Sequence, residues 1–454
     1  MTKLKHRFLQ TLGVALATLM LLALPLPDVQ LARAEEATVT VSDSVAAALS
    51  YNPRLKVLQD NHQAIGFELE RARGGYFPRV DLAAGYGAES YNDEITRRRD
   101  IEHNFYDRSE ASLRLSQLLY DGQETASRVG VEEAKLDSAK LRVLDNAESI
   151  SLDAIIAHME VYRQRALYGL AEKNVRDHED ILGMLNERQK GGAGSIADVT
   201  QTQGRLARAK ASLAETRSGV ASAEANYQRV VGKLAGNVEY FTVPANLVPK
   251  SLDEVVQAVQ ANNPKVKALE FNIQEAESRV GLSNANFLPK VNVELSSSYE
   301  DQVESSETYE QGNQAMLRMR WNLFNGGADV ADRKAAIARK FQSVNSKEDQ
   351  LVQVIEEATA TWAKLQAYKE QVIDFGDATG NSQKTLDSYM KQFTVGQRTL
   401  LDVLDARNEL FQSSGLLVTA KVNEVIAAER LLALSGTLNQ SLQMDEQLYT
   451  ASSK

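Results

Sequence analysis

The chain is written twice. Asn52-Pro53 returns as Asn263-Pro264, and Phe77-Pro78-Arg79-Val80 returns as Leu288-Pro289-Lys290-Val291, both 211 residues later. Leu119-Tyr120-Asp121-Gly122 returns as Leu323-Phe324-Asn325-Gly326, and Gly192 and Asp198 match Gly396 and Asp402, now at a spacing of 204. The seven-residue difference falls between Val80 and Leu119. Length changes are best tolerated in exposed loops, which places a surface loop there. The fold therefore consists of two copies of one unit, residues 35–235 and 251–438. A Pro- and Gly-bearing linker, 236–250, joins them.

Each copy contains a stretch that alternates in polarity. Val80, Leu82, Ala84 and Tyr86 interleave with Asp81, Ala83 and Gly85, and Ala111, Leu113 and Leu115 with Ser112, Arg114 and Ser116. In the second copy Val291, Val293 and Leu295 interleave with Asn292, Glu294 and Ser296, and Leu317, Met319, Trp321 and Leu323 with Arg318, Arg320 and Asn322. This period of two predicts β-hairpins at 79–119 and 290–324, each with one apolar and one polar face. Runs of about 9–11 residues match a tilted strand that crosses a membrane. Polar loops, Glu89–Arg108 and Glu300–Asn313, join the strands. Two ordinary hairpins on a soluble domain are the competing reading. The membrane reading is preferred because Arg318 and Arg320 then face a wet lumen while Met319 and Trp321 face lipid. Four strands cannot close a barrel, and an open edge in lipid leaves backbone groups unpaired, so copies of the chain must combine. These rules allow two copies or three.

Long helices follow each hairpin. Proline is absent from Arg79 to Val243 and from Lys290 to Lys454, and these stretches are rich in Ala, Leu, Glu, Lys, Arg and Gln. Helices are predicted from Gln123 to about Lys190 and from Gly327 to about Gln392, roughly 100 Å each at about 1.5 Å per residue. Each meets a short break, at Gly191–Ser195 or Thr394–Gln397, and a second helix returns over about 198–234 or 399–437. The resulting αα-hairpins, 123–234 and 327–437, need partners along their whole length and can wall a tube. Shorter helices are expected before the β-hairpins, at about 41–74 and 252–286. Residues 439–454 read as a polar, flexible tail.

The N-terminus carries an export signal. Lys3, Lys5 and Arg7 precede an apolar run from Val14 to Leu26, and Ala32-Arg33-Ala34 supplies a cleavage site before Glu35. The apolar run is shorter than the roughly 20 residues of a spanning helix. Residues 1–34 are expected to be removed. The chain has no cysteine, which excludes disulfides, thiolate metal sites and a lipid anchor on Cys. The formal net charge is −10, and the signal holds four basic residues and one Asp, so the remainder is more acidic still. That balance argues against nucleic acid as a partner. The five histidines lack metal-ligand spacing, and His158 and His178 are assigned to solvated helix faces. Nothing assembles a nucleophile, a base and an oxyanion donor, so no enzyme, metal or cofactor is expected.

The segment Phe393-Thr394-Val395-Gly396-Gln397-Arg398-Thr399-Leu400-Leu401-Asp402-Val403-Leu404-Asp405-Ala406 resembles the helical-tip motif of the TolC family of outer-membrane factors. Gly192 to Asp198 resembles its counterpart in the first copy. Gly75-Tyr76-Phe77-Pro78, Asn286-Phe287-Leu288-Pro289, Leu119-Tyr120-Asp121-Gly122 and Leu323-Phe324-Asn325-Gly326 are also similar to the family's hairpin boundaries. The resemblance spans nearly the whole chain after the signal. It implies a mixed α and transmembrane-β fold: a homotrimer with a twelve-stranded barrel in outer-membrane lipid and a periplasmic tunnel of α-helices. It also implies a periplasmic adaptor protein and an inner-membrane transporter, of ABC type, as partners. The missing lipidation Cys and the Arg398–Asp405 tip are more similar to type I secretion members, which export polypeptides, than to lipid-anchored drug-efflux members. The alternatives are a drug-efflux channel and a pore-free helical-hairpin rod that binds a partner.

Asp402 and Asp405 lie three residues apart, near one face of the returning helix. In a trimer they would form two carboxylate rings at a cation-attracting constriction, and solvated surface acids are the plainer reading. By resemblance, Asp198 and Arg398 become gate-locking partners. The family's aromatic lock position, a tyrosine in its type member, falls on Phe393, so the hydroxyl bond is missing. Gly192, Gly194, Gly396 and Thr399 mark the tip turns expected to contact the adaptor.

Overall fold

The computed structural model describes residues 38–192, 194–305 and 309–447. The expected signal segment and residues 448–454 of the expected tail lie outside them. The first copy runs Thr38–Val39 (β1), Val41–Tyr51 (α1), Pro53–Arg73 (α2), Arg79–Glu89 (β2), Glu94–Arg99 (α3), Tyr106–Tyr120 (β3), Glu124–Lys190 (α4) and Ile196–Val231 (α5). The linker holds Asn237–Val238 (β4), and the second copy runs Leu252–Asn262 (α6), Pro264–Ala285 (α7), Lys290–Asp301 (β5), Tyr309–Arg320 (β6), Ala328–Thr394 (α8) and Leu400–Leu434 (α9). A last turn, Leu438–Ser441 (α10), follows.

The helices expected at 41–74 and 252–286 are each broken in two. A residue before proline is driven out of the α region, and proline itself is suited to the first helical position. Asn52, at ψ 115°, ends α1, and its side chain accepts from the Arg54 amide to start α2. Asn263, at ψ 119°, does the same between α6 and α7 through the Val266 amide.

β2, β3, β5 and β6 form one antiparallel sheet in that order, so the β3–β5 pairing joins the two copies. Several strand limits differ from expectation, and β6 begins at Tyr309, inside the expected loop Glu300–Asn313. β3 begins inside the expected loop, at Tyr106, and the loop folds α3 with an Asp93–Thr96 capping box. β6 stops at Arg320, and Trp321 instead donates its indole N–H to the Phe287 carbonyl at 3.1 Å. At the joint between β3 and α4, Gly122 has φ +69°, and a Cβ there would lie 2.6 Å from the Leu288 Cβ. Only glycine meets both demands.

α4 and α8 have 67 residues each, about 100 Å. Nearest the sheet, α2 packs on α4, and α7 packs between α4 and α8. Towards the far end, α5 packs on α4, α9 on α8, and α4 on α9. Among the described residues the chain therefore presents four helices at either level.

The main core lies midway along α4, where Ala147, Ala154, Ile155 and Val161 meet α1, the end of α5 and Val422, Val425 and Leu432 of α9. The linker is not loose. β4 pairs in parallel with β1, and Val238, Tyr240, Phe241 and Val243 pack on this core. Nor is the start of the tail free: Leu438 is fully buried, and Ser151 donates to the Asn439 side chain. The Glu148 carboxylate accepts from the Leu438 and Asn439 amides at 3.0 and 3.3 Å. Burial pushes the Glu148 carboxyl up to about 7 although these amides pull the other way.

The assignment of His158 and His178 to solvated faces is wrong, because neighbouring elements cover α4 there. His158 is fully buried, with Nδ1 2.9 Å from Ser44 Oγ and Nε2 2.9 Å from the Glu239 carbonyl oxygen. His178 is buried and bonds the Asn174 carbonyl through Nδ1.

Candidate functional site

Two regions present functional groups: the sheet and the helical tips at the opposite end. Register settles how the sheet sorts its side chains. Residues directly opposite each other on paired strands share a face, and here Arg79, Ser116, Glu294 and Met316 share one while Val80, Leu115, Leu295 and Ala315 share the other. Every charged residue of the four strands except Asp107 and Asp301 lies on the first face. Both exceptions sit at the loop end.

The other face carries an apolar band bounded by aromatic residues. Tyr86, Tyr299 and Tyr309 mark its loop end, and Phe77, Tyr120, Phe287, Trp321 and Phe324 lie at the helical end. From Lys290 to Tyr299 a strand rises about 31 Å, or about 24 Å vertically at a tilt near 40°. That height fits the roughly 25 Å outward band of a membrane barrel. Among the described residues no helix is long and apolar enough to cross a membrane. The outer strands β2 and β6 each pair on one side only.

At the tips, both turns use glycine in the left-handed region, Gly192 at φ +76° and Gly396 at φ +79°. Gly194 is required for space, since a Cβ would lie 2.7 Å from the Gln189 backbone nitrogen. Ser195 caps α5 through the Ala197 amide, and Thr399 caps α9 through the Asp402 amide.

Under these turns lies a compact apolar cluster: Ile181, Leu185, Val199, Phe393, Val403 and Leu404. Phe393 is buried within it, and the Arg188 guanidinium stands 4.7 Å from its ring centre. Lacking a hydroxyl, Phe393 joins the two hairpins by packing.

The candidate gate residues are only partly brought together. Arg398 does not meet Asp198 within the chain. Its guanidinium lies 3.9 Å over the Tyr389 ring, donates to Gln392 at 3.1 Å and approaches Asp402 at 3.8 Å, all within its own hairpin. The Asp198 side chain has no hydrogen-bond or ion-pair partner among the described residues. Asp402 accepts from the Thr399 hydroxyl at 2.7 Å, so it serves as a helix-capping acid in addition to any other role. Asp405 is exposed and pairs with Arg205 of α5 at 2.8 Å.

Sequence reasoning missed the side chains that tie the two hairpins together. Arg205–Asp405 links α5 to α9, Arg407–Asp177 links α9 to α4, and Arg188 of α4 covers Phe393 of α8. The Arg407–Asp177 pair is the more buried of the two ion pairs. Its partners stand 230 residues apart, and no local pattern couples them.

A family model described as "Outer membrane efflux protein" matches residues 45–233 and 255–437, which are the two copies. The chain belongs to the outer membrane efflux protein family. Its place is accordingly the outer membrane, with extension into the periplasm. Relatives include the outer membrane efflux protein BepC of Brucella suis, 27% identical over 84% of this chain and 80% of that protein. The alkaline protease secretion protein AprF of Pseudomonas aeruginosa is 26% identical over 88% and 85%. Among solved structures, the Campylobacter jejuni CmeC outer membrane channel superimposes with a TM-score of 0.76 at 11% identity, covering 90% of each chain. The Vibrio cholerae VceC outer membrane protein gives 0.72 at 17% identity, over 88% of this chain and 95% of that one. At these identities the solved structures establish the fold alone. Family and fold relatives are channels, not enzymes.

Proposed function

We propose that this chain is one subunit of a homotrimeric channel-tunnel that exports polypeptides by type I secretion. In this reading, substrate arrives from an inner-membrane ABC transporter and a periplasmic adaptor. The observation that supports it most is the sheet: one charged face, one apolar banded face, and two edges with unpaired backbone groups. In lipid such edges must be closed. Three copies of four strands give a barrel of twelve. The protomer's surface supports assembly too. Large apolar side chains such as Phe67, Phe341, Val352 and Ile373 stand exposed on its long helices.

At the periplasmic end, Asp402 and Asp405 of three subunits would ring a narrow entrance. Asp198, free within its own protomer, remains available to Arg398 of a neighbour. Within each protomer the Arg205–Asp405 and Arg407–Asp177 pairs hold the hairpins side by side, so opening must break them. Gly192, Gly194, Gly396 and Thr399 shape the turns that an adaptor would meet.

The secretion reading draws on the resemblance to AprF and the drug-efflux reading on the resemblance to BepC. The test has two parts. Detergent-extracted outer membranes should yield a trimer on a native gel that conducts ions in planar bilayers. Deletion of the gene should abolish export of a protein into the medium. A soluble periplasmic protein without conductance would defeat the channel reading. A conducting trimer whose loss changes only drug susceptibility would defeat the secretion reading.

A further inference from the structure

The charged face of the sheet is polarised along its length. The half next to the helices carries Arg79, Arg114, Lys290, Arg318 and Arg320 against Asp81 and Glu294, five cations to two carboxylates. A row of small neutral residues follows, Ala83, Ser112, Ser298 and Gly312, side by side across all four strands. Beyond it Glu110, Glu300 and Glu310 stand in one row on three adjacent strands; Glu110 pairs with Arg108 at 2.7 Å, while Glu300 and Glu310 have no cationic partner among the described residues. Like charges directly opposite each other destabilise a sheet, so stability does not explain that row.

Ion pairing leaves the inner cations unequal. Arg79 pairs with Asp81, Arg318 with Glu294, and Lys290 with Glu124 of α4. Arg114 and Arg320 are exposed and have no anionic partner among the described residues. Unpaired guanidinium groups inside a low-dielectric wall focus field and concentrate anions, by factors on the order of 10 or more. Arginine also grips carboxylate and phosphate oxygens in a bidentate fork.

We propose that the barrel lumen is a two-stage electrostatic filter, in which an inner basic belt centred on Arg114 and Arg320 binds anionic groups of the passing cargo ahead of an outer carboxylate ring. This rests on the channel reading above, because only closure of the sheet puts the charged face around a lumen. Three subunits supply six unpaired guanidinium groups to the belt. The outer ring lowers the concentration of such anions at the outer mouth and so their entry from outside.

The experiment uses the full-length channel in planar bilayers, in about 0.1 M KCl, where charges act over about 10 Å. Inorganic tripolyphosphate is added on the barrel side. The wild-type channel is expected to be blocked. The Arg114→Ser/Arg320→Ser double variant should need on the order of tenfold more tripolyphosphate for half-block. Arg114→Lys/Arg320→Lys should retain most of the block, and Glu300→Gln/Glu310→Gln should lower the half-blocking concentration. Trimer formation by each variant is confirmed on a native gel. Equal half-block concentrations in wild type and the double Ser variant, both conducting, would overturn the filter. A wild-type protein that never conducts would instead defeat the channel reading itself.

Discussion

Glu429 is almost fully buried on the face of α9 that carries Val422, Val425 and Leu432 into the main core, and its Oε2 has no hydrogen-bond partner among the described residues. Burial alone pushes its carboxyl from 4.5 up to about 7. Between those two values the folded protein holds a proton that the unfolded chain releases. Stability therefore falls as pH rises from about 4.5 to 7 and stays low above it. A shift of this size corresponds to about 3 kcal/mol for complete titration, of which about 2–3 kcal/mol falls between pH 5 and pH 8. Glu429→Leu removes the titrating group and fills the site with apolar atoms. The variant should be the more stable protein at pH 8, and its advantage over wild type should shrink by that amount at pH 5. The assay is guanidinium unfolding of the detergent-solubilised protein, followed by far-UV circular dichroism at one fixed protein concentration, since assembly couples stability to concentration. Comparing the two proteins at both pH values cancels every other titrating group. An advantage that is the same at pH 5 and pH 8, or larger at pH 5, would refute the buried, unpaired placement of this carboxyl.

Three further outcomes follow from the geometry. Arg205→Ser combined with Arg407→Ser removes both ion pairs between the hairpins and should raise single-channel conductance at least severalfold; Arg398→Ser, whose contacts stay within one hairpin, should raise it less, and the reverse order would contradict the assigned links. Leu295→Arg puts a charge on the banded face at mid-height and should cost about 2–4 kcal/mol of membrane stability, whereas Ser298→Arg on the other face, between Ser112 and Gly312, should be tolerated, as read from trimer yield in outer membranes. Gly122→Ala forces a side chain into a φ of +69° and against Leu288, and should destabilise the joint between β3 and α4 by about 2 kcal/mol or more; a wild-type melting profile would count against that joint.

Much of the architecture was legible in the residues because it rests on short-range rules. The period of two in 80–86 and 291–295 announces strands, and the long stretches without proline announce α4 and α8 to within a residue or two. Asn52-Pro53 and Asn263-Pro264 stand out as repeat markers, and the proline rule also makes each of them a helix break. The buried state of His158 could not be read from α4 alone, since a polar residue on a helix reveals nothing about which elements will cover it. The same holds for the tail, where Leu438 and Asn439 are ordered by Glu148, 290 and 291 residues away in sequence.

By itself the sequence determined a duplicated chain, its strand and helix periodicities, and a tip whose glycines and capping Thr399 are demanded by backbone geometry within a few residues. Tertiary structure decided which charges meet. Arg205 found Asp405, Arg407 found Asp177, and Arg398 turned to Tyr389 in place of Asp198. It also aligned the carboxylates of β3, β5 and β6 into one row by fixing strand register across the two copies. Backbone preferences act between neighbours in the chain and so are written locally. Ion pairing and register depend on distances that exist only after elements hundreds of residues apart have packed together.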